Sequence, residues 1–180
     1  MNQPVKLGAG LATGMAYHAP LNTALPTYPT EELAAAWEEI GFISSDGITW
    51  APGIDFESLK DWSNTIRRAL PGEDPGTVVA PIISTTEESL KTVFGNDNVT
   101  VTDAATGHGK LIKVDAAGGP APAEAFLFIG KDGDSTFMVG TTNGVVTHVD
   151  DVVFVAGQPI TWNTTIAGNW TYVLDEGEDD

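Results

Sequence analysis

Residues 125–149 read AFLFIGKDGDSTFMVGTTNGVVTHV, a stretch in which turn-forming residues interrupt apolar runs twice. The interruptions are Lys-Asp-Gly-Asp at 131–134 and Asn-Gly at 143–144, and Gly-containing groups of this kind typically connect antiparallel strands. The runs between them are short and rich in aromatic and β-branched residues, which favour strands. We therefore predict three consecutive strands, at 125–129, 136–141 and 145–149.

The same pattern continues on both sides of this stretch. Asp46-Gly47 is a hairpin-type dipeptide, and residues 71–76 hold two prolines and two glycines, which restricts them to a loop. Short strands with Gly-containing turns between them indicate a sandwich or a barrel. The further predicted strands are 42–45, 48–50, 56–70, 76–84, 99–101, 110–114, 152–155, 161–165 and 169–174.

A first short helix is predicted at 30–40. Thr30 is a good N-cap, and two glutamates follow it in the first turn. Leu33, Trp37 and Ile40 are spaced so that they would share one helix face. Gly41 then supplies a residue that typically ends a helix.

A second short helix is predicted at 86–94. Thr85 and Glu88 have the spacing of a capping box, and Gly95 ends the apolar stripe. The helices do not alternate with the strands, which excludes a βαβ fold. We predict a β-rich α+β fold of two packed antiparallel β-sheets, as a sandwich or partial barrel, with one or two short flanking helices.

The predicted organisation is one domain with an extension at each end. Residues 1–29 are rich in Gly, Ala, Thr and Pro and are predicted to form an extended N-terminal arm. Residues 30–174 form the β-rich domain, because all predicted elements lie there. Residues 175–180 are a predicted acidic C-terminal tail.

The charge of the chain excludes several functions. It carries 25 Asp and Glu against 8 Lys and Arg, a formal net charge of −17. A protein that binds nucleic-acid phosphates or anionic lipids needs basic patches, so this charge argues against both functions.

The absence of cysteine excludes disulfides and thiolate metal sites. With no apolar run of signal-peptide or membrane-spanning type, we expect synthesis in a cytoplasm.

No motif predicts catalysis, a cofactor or a metal site. The glycines at 8–14 lack the spacing and the preceding strand of a dinucleotide-binding loop. Asp132-Gly133-Asp134 fits a hairpin turn better than a calcium loop. His18, His108 and His148 lie far apart, in different predicted elements. We therefore predict that the protein is not an enzyme.

Four blocks in a fixed order resemble a known family. They are YHAPLNTALPT at 17–27, GFISSDGIT at 41–49, LKDW at 59–62 and EESLKTVFG at 87–95. Together they resemble the major tail proteins, or tail tube proteins, of long-tailed siphophages, especially those of actinobacterial hosts. The later strands match only in their β-rich layout.

The resemblance implies a structural protein of the virion tail. Proteins of this family form hexameric rings that stack into a hollow tube, with one sheet of each subunit lining the lumen. The implied partners are further copies of the chain, a tape measure protein, tail terminator and distal tail proteins. Double-stranded DNA passes through the tube into the host without specific binding, which suits a negatively charged wall.

Candidate residues for these roles follow from the predicted elements. Acidic residues of the predicted strand 56–70, Glu57 and Asp61, are predicted to face the lumen. Apolar residues of the arm, bulky or basic residues of the 56–70 segment and acidic residues of the following loop are predicted to contact neighbouring subunits or rings. These interface residues are Tyr17, Pro20, Leu21, Leu25, Trp62, Arg67, Arg68, Glu73 and Asp74.

Two other functions fit the same sequence. The first is the tube protein of a related secretion or contractile system, which neighbouring genes would distinguish. The second is an immunoglobulin-like decoration or binding domain, which would remain monomeric or bind a capsid and would not need both helices.

Overall fold

The computed structural model describes residues 15–54, 56–71, 75–132 and 135–176, with the backbone alone at 56–59, 66–71 and 132. The described part is mostly strand, with one α-helix and one 3₁₀ turn, Asn96–Asn98. Its elements are β1 Met15–Pro20, β2 Glu38–Phe42, β3 Thr49–Ala51, β4 Phe56–Lys60, β5 Ile66–Pro71, β6 Gly76–Ile82, α1 Glu87–Phe94, β7 Val99–Thr102, β8 Leu111–Val114, β9 Glu124–Asp132, β10 Ser135–Val149, β11 Trp162–Gly168 and β12 Thr171–Asp175.

One antiparallel sheet dominates the fold, with the strand order β2-β1-β9-β10-β11-β6-β3. Strand β10 is shared by two layers, because its first part pairs with β9 and β12 and its second part pairs with β11. Its register shifts between Thr141 and Gly144, and such a bulge bends a strand. The sheet does not close into a barrel. The predicted β-rich class with packed antiparallel sheets and a flanking helix is confirmed.

The main core lies between the two layers. Phe126 and Phe128 of β9 pack with Val78 of β6 and Ile166 of β11, and all four side chains are buried. Burying a side chain of this size stabilises the fold by about 1.5–3 kcal/mol. The core therefore depends on residues contributed from both layers.

A second apolar cluster covers the outer face of β9. Leu127 and Met138 are buried there together with Trp37, and Leu25 and Leu33 pack against them. Successive side chains of a strand point to opposite faces, so both faces of β9 are buried. This explains why its sequence is an uninterrupted apolar run and not an alternating one.

Helix α1 begins one residue later than the sequence predicted. Thr86 is the N-cap, and its side chain accepts a hydrogen bond from the backbone N–H of Ser89, which completes the capping box. Thr85 instead accepts a hydrogen bond from the indole N–H of Trp162. The predicted end at Gly95 is confirmed, with φ +89°.

The predicted helix at 30–40 is wrong. Trp37 packs in the outer cluster, whereas Ile40 lies in the core between the layers and within strand β2. Gly41 continues this strand with φ +135°, and a Cβ there would meet Ser84 Cβ at 2.3 Å. Strand pairing with β1 therefore overrides a local helical pattern, and the glycine permits a close approach instead of ending a helix.

The predicted arm at 1–29 is wrong for its middle part. Met15–Pro20 is strand β1, which lies inside the sheet between β2 and β9. Residues 21–29 run on to the segment that covers the outer cluster. Residues 1–14 lie outside the described part of the chain. The division into arm, domain and acidic tail otherwise stays a prediction.

The segment 56–70 is a hairpin and not a single strand. β4 and β5 pair as a separate two-stranded sheet. The turn between them forms around Asp61, whose Oδ1 accepts hydrogen bonds from the backbone N–H groups of Ser63 at 2.9 Å and Thr65 at 3.1 Å. Polar residues that bond locally to the backbone favour such turns.

Three other local predictions are also corrected. Asp46-Gly47 forms a turn, but the flanking residues Ile43 and Trp50 pair with β6 and not with each other. Asn143-Gly144 lies at a bulge within β10 and not in a turn. Residues 152–155 form no strand. The two glycine dipeptides do mark a turn and a bulge, and 152–155 is an apolar run. Which strand each neighbouring segment pairs with, however, depends on the arrangement of the whole sheet.

Candidate assembly surfaces

Large apolar side chains are exposed at several places in the described chain, and two segments are the strongest candidates for contact with another chain. One is the β4–β5 turn with Trp62, the most exposed of these side chains, and the other is residues 150–161 between β10 and β11, with three such side chains in succession. Scattered apolar residues on a surface are ordinary, but contiguous ones mark interaction sites. These segments are therefore candidate surfaces for contact with another chain.

Trp62 is fully exposed to solvent. The residue before it, Asp61, ties the turn through the backbone hydrogen bonds described above, and Asn64 adopts φ +60°. The turn is therefore ordered by its own polar residues, while the indole ring takes no part in the fold of the single chain. Trp62, predicted as an interface residue, is placed where a neighbouring molecule can reach it.

Among the described residues, the segment 150–161 contains the longest run of exposed large apolar side chains. Val153 is 70% exposed and Phe154 is 73% exposed, and Val155 is exposed beside them. The segment is anchored at its start by a hydrogen bond from Asp150 N–H to Asn163 O at 3.0 Å. Sequence reasoning missed these residues as interface candidates because it assigned 152–155 to a strand of the predicted sheets.

The predicted interface residues near the N-terminus divide into two groups. Tyr17 and Leu25 pack against the outer cluster, and the pKa of the Tyr17 hydroxyl is raised by burial and by the nearby carboxylate of Glu39. Pro20 is exposed, and Leu21 is 48% exposed. Pro20 and Leu21 are therefore accessible to a neighbour, whereas Tyr17 and Leu25 contribute to the fold of the chain itself.

The other predicted residues belong to the hairpin or to the loop after it. Glu57 lies opposite Leu70 in the backbone register of the β4–β5 pair, and Arg68 lies opposite Leu59. Arg67 lies at the register shift between these strands. Glu73 and Asp74 lie outside the described residues. The lumen and interface roles assigned to these residues stay predictions.

A charged cluster connects helix α1 to the residue before β8. The carboxylate of Glu87 accepts hydrogen bonds from the ammonium groups of Lys91 and Lys110. The hydrogen bonds from Lys110 and then from Lys91 lower the pKa of Glu87 below its usual value of 4.5. The same contact with Glu87 raises the pKa of Lys91. This arrangement connects the first turn of the helix to the residue before β8.

The histidines lie in separate places, as the sequence indicated. His148 is an exposed residue of β10 whose Nε2 lies 3.3 Å from Asp150 Oδ1. His18 lies in β1, where its Nδ1 is 3.0 Å from Glu124 Oε2. The two depressions at 27–28 with 173–176 and at 95–98 with 118–122 contain no histidine.

No described helix is long and apolar enough to cross a membrane.

Comparison with known families identifies the chain. The phage tail tube protein family matches residues 9–157, which include β1 to β10 and both exposed segments up to Gly157. The curated proteins contain no match. The match covers well over half of the chain. This protein belongs to the phage tail tube protein family, a family of structural components of the virion tail.

Proposed function

We propose that this chain assembles into hexameric rings that stack into the hollow tail tube of a siphophage, the conduit for genome ejection into the host. The observation that carries the proposal is the exposed apolar run Val153–Phe154–Val155, for which the single chain provides no cover. Membership of the tail tube family directs the choice of partner toward further copies of the same chain.

Two separate exposed segments support a head-to-tail assembly. When different patches of one chain contact each other, the interface is heterologous, and it closes into a ring if the rotation allows. Trp62 and Phe154 belong to different elements, since Trp62 lies between the paired strands β4 and β5 and Phe154 lies in 150–161 between β10 and β11. One segment would serve contacts within a ring and the other contacts between rings.

The segment 152–155 has an unused tendency to form a strand. Its sequence is VVFV, that is, three valines and Phe154. Such β-branched and aromatic residues favour a strand, because they fit its pleated, half-buried surface. The sheet ends at β2 and β3 leave strand edges that a neighbouring chain could extend. In the proposed ring, the segment would pair at such an edge of the next subunit.

The charge of the chain supports a conduit that does not hold DNA. The net charge of −17 repels phosphates, and at physiological salt this repulsion reaches only about 8 Å. We propose that Glu57 and Asp61 contribute to the lumen, that the tube forms around a tape measure protein, and that terminator and distal tail proteins cap it. Synthesis would occur in the cytoplasm of the bacterial host.

The test compares wild-type protein with two substitutions at one exposed position. Electron microscopy and sedimentation of concentrated wild-type protein should show rings or tubes. Phe154→Ser should abolish them, because it removes the apolar contact, whereas the matched control Phe154→Leu should retain them. Thermal unfolding of the dispersed chains should be nearly the same for all three, because the side chain is 73% exposed.

Two results would contradict the proposal. The first is a wild-type protein that remains monomeric at every concentration and with added tape measure protein, which would favour a decoration or binding domain. The second is assembly of Phe154→Ser as complete as that of wild type, which would remove segment 150–161 from the interface.

A further inference from the structure

Three side chains from three different elements converge at the end of the sheet near helix α1. They are His18 of β1, Glu38 of β2 and Glu88 of the first turn of α1, and one ligand atom from each lies within 4.8 Å of the others. His18 and Glu38 are direct partners in the β1–β2 register. The distance from His18 Nε2 to Glu38 Oε2 is 3.9 Å, too long for a hydrogen bond.

The imidazole of His18 is oriented by a fourth residue. Its Nδ1 lies 3.0 Å from Glu124 Oε2 in β9, and His18 and Glu124 are only 13% and 17% exposed. A carboxylate accepts hydrogen bonds and cannot donate them when ionised, so Nδ1 carries the proton. In the neutral ring, Nε2 then presents its lone pair toward Glu38 and Glu88.

The Nε2 atom has no hydrogen-bond partner among the described residues, although it is buried. A buried polar atom without a partner is costly and requires an explanation. A carboxylate that orients one imidazole nitrogen while the other faces further ligands is the arrangement found around protein-bound metal ions. The orphaned atom and the oriented ring are thus two separate indications of a bound cation.

The local charge also favours a bound cation. Glu38, Glu88 and Glu124 supply three carboxylates around one imidazole. The nearest described ammonium, Lys91, lies 3.9 Å from Glu88 Oε1 and is also engaged by Glu87. A single shared lysine leaves excess negative charge, which a divalent ion would neutralise.

The donor set selects the class of ion. One imidazole nitrogen with carboxylate oxygens suits zinc and neighbouring transition metals, whereas magnesium and calcium prefer oxygen alone. Zinc binds nitrogen and oxygen at about 2.0–2.2 Å, so the carboxylates must move inward. Glu38 is 65% exposed and Glu88 is 44% exposed, which leaves both free to do so while His18 stays fixed.

We propose that His18, Glu38 and Glu88 bind a divalent transition metal ion of the zinc class, with Glu124 as the positioning residue. Water would complete the coordination. The ion would tie the start of α1 to the hydrogen-bonded β1–β2 pair, against which the helix otherwise only packs. The site shares β2 with one of the two strand edges proposed for assembly, and the ion would strengthen each subunit before or within a tube.

The first experiment titrates the full-length, metal-free chain with zinc chloride by calorimetry, with thermal unfolding measured in parallel. We expect one zinc ion per chain and a rise in the melting temperature, because an ion that binds only the folded state stabilises it. Magnesium chloride should produce neither effect. Cobalt(II) should give the visible absorption of a low-coordinate nitrogen and oxygen site, which binding to surface carboxylates would lack.

Substitutions assign the site to its residues. Glu88→Gln removes a partly exposed ligand without disturbing the core, so it should fold and lose at least tenfold in zinc affinity. Glu124→Ala should weaken binding about 10–100-fold, because it removes the acceptor that orients the imidazole. His148→Asn is the matched control, because it removes another histidine that lies beside a carboxylate, and it should bind zinc like wild type.

Several outcomes would overturn the assignment. If wild type binds no zinc, the group is a polar cluster without a metal and the proposal fails. If Glu88→Gln binds zinc as tightly as wild type, or if His148→Asn loses the binding, the metal site lies elsewhere. Circular dichroism of each metal-free variant would verify that a loss of binding is not a loss of fold.

Discussion

A substitution at Gly144 tests the account of β10 as a bent strand shared by two layers. This glycine lies at the register shift of the strand, opposite Glu124 of β9. A Cβ built there would meet Phe126 Cδ2 at 2.5 Å and Ile166 Cγ2 at 3.0 Å. Both contacts belong to the main core, and Phe126 is among the most deeply buried side chains.

The size of the effect follows from these contacts. An atom within 3.0 Å of a buried ring forces the ring or the backbone to move, and overpacking of this kind costs about 1–3 kcal/mol. For a chain of this length, each kcal/mol lowers the melting temperature by roughly 2–4 °C. We therefore expect Gly144→Ala to lower the melting temperature by roughly 2–12 °C. Urea unfolding should likewise show a lower free energy of unfolding.

Gly109→Ala is the matched control for this measurement. A Cβ at Gly109 meets no atom within 4 Å, and its φ is not positive, so the same substitution should change the free energy of unfolding by no more than about 0.5 kcal/mol. If Gly144→Ala proves as stable as Gly109→Ala, the close packing of the β10 bulge on Phe126 is refuted.

Three further predictions concern helix α1 and the net charge. Thr86→Ala should destabilise the chain by about 1 kcal/mol through loss of the N-cap, and urea unfolding should show a smaller loss for Thr85→Ala, which keeps that cap. The lowered pKa of Glu87 means that its ion pairs stabilise the fold fully above about pH 4.5 and lose this effect as the pH falls through the folded-state pKa. The stability difference between wild type and Glu87→Gln, measured at pH 7 and pH 3, should therefore shrink at the lower pH. Tube formation followed by light scattering should accelerate between 50 and 300 mM salt, because screening weakens repulsion between chains of charge −17; slower assembly would indicate that ion pairs drive the contacts.

The strands with the clearest local pattern could be predicted from the sequence. The β9–β10 hairpin was expected from the apolar runs around 131–134, and the observed register pairs Asp132 with Ser135. The helix at 87–94 was expected within one residue, because its cap, stripe and terminal glycine agree with each other. Consistent local signals therefore predicted the elements that tertiary packing also favours.

The predicted helix at 30–40 failed because its pattern has two structural solutions. Leu33, Trp37 and Ile40 would share a face on a helix, but the same residues also fit a chain that crosses from the outer cluster to the inner core. Helix propensity is weak in so short a segment. Pairing with β1 provides backbone hydrogen bonds and burial, which together stabilise a strand here more than the weak local propensity stabilises a helix. No local pattern in 30–40 shows that β1 is available for this pairing.

The candidate metal group could not be predicted for a different reason. His18 and Glu124 are separated by 106 residues and meet only because β1 pairs with β9. Glu88 approaches from the helix, which packs against β2. The sequence correctly separated the three histidines from one another, but the neighbours of His18 are carboxylates, and an acidic chain offers too many of these for spacing to select the right ones.

The mistaken strand prediction at 152–155 also shows that the partner of a segment cannot be read from its own residues. Its residues have the composition of an internal strand, yet the single chain leaves Phe154 exposed and gives the segment no strand partner. An apolar, strand-forming segment normally risks aggregation, and in the proposed assembly the net charge of −17 would oppose random association of free chains. Short-range apolar contact can then prevail only when chains meet in the orientation that buries the segment. The two features that are unfavourable separately, strong self-repulsion and an exposed strand-forming run, together favour ordered assembly over indiscriminate association.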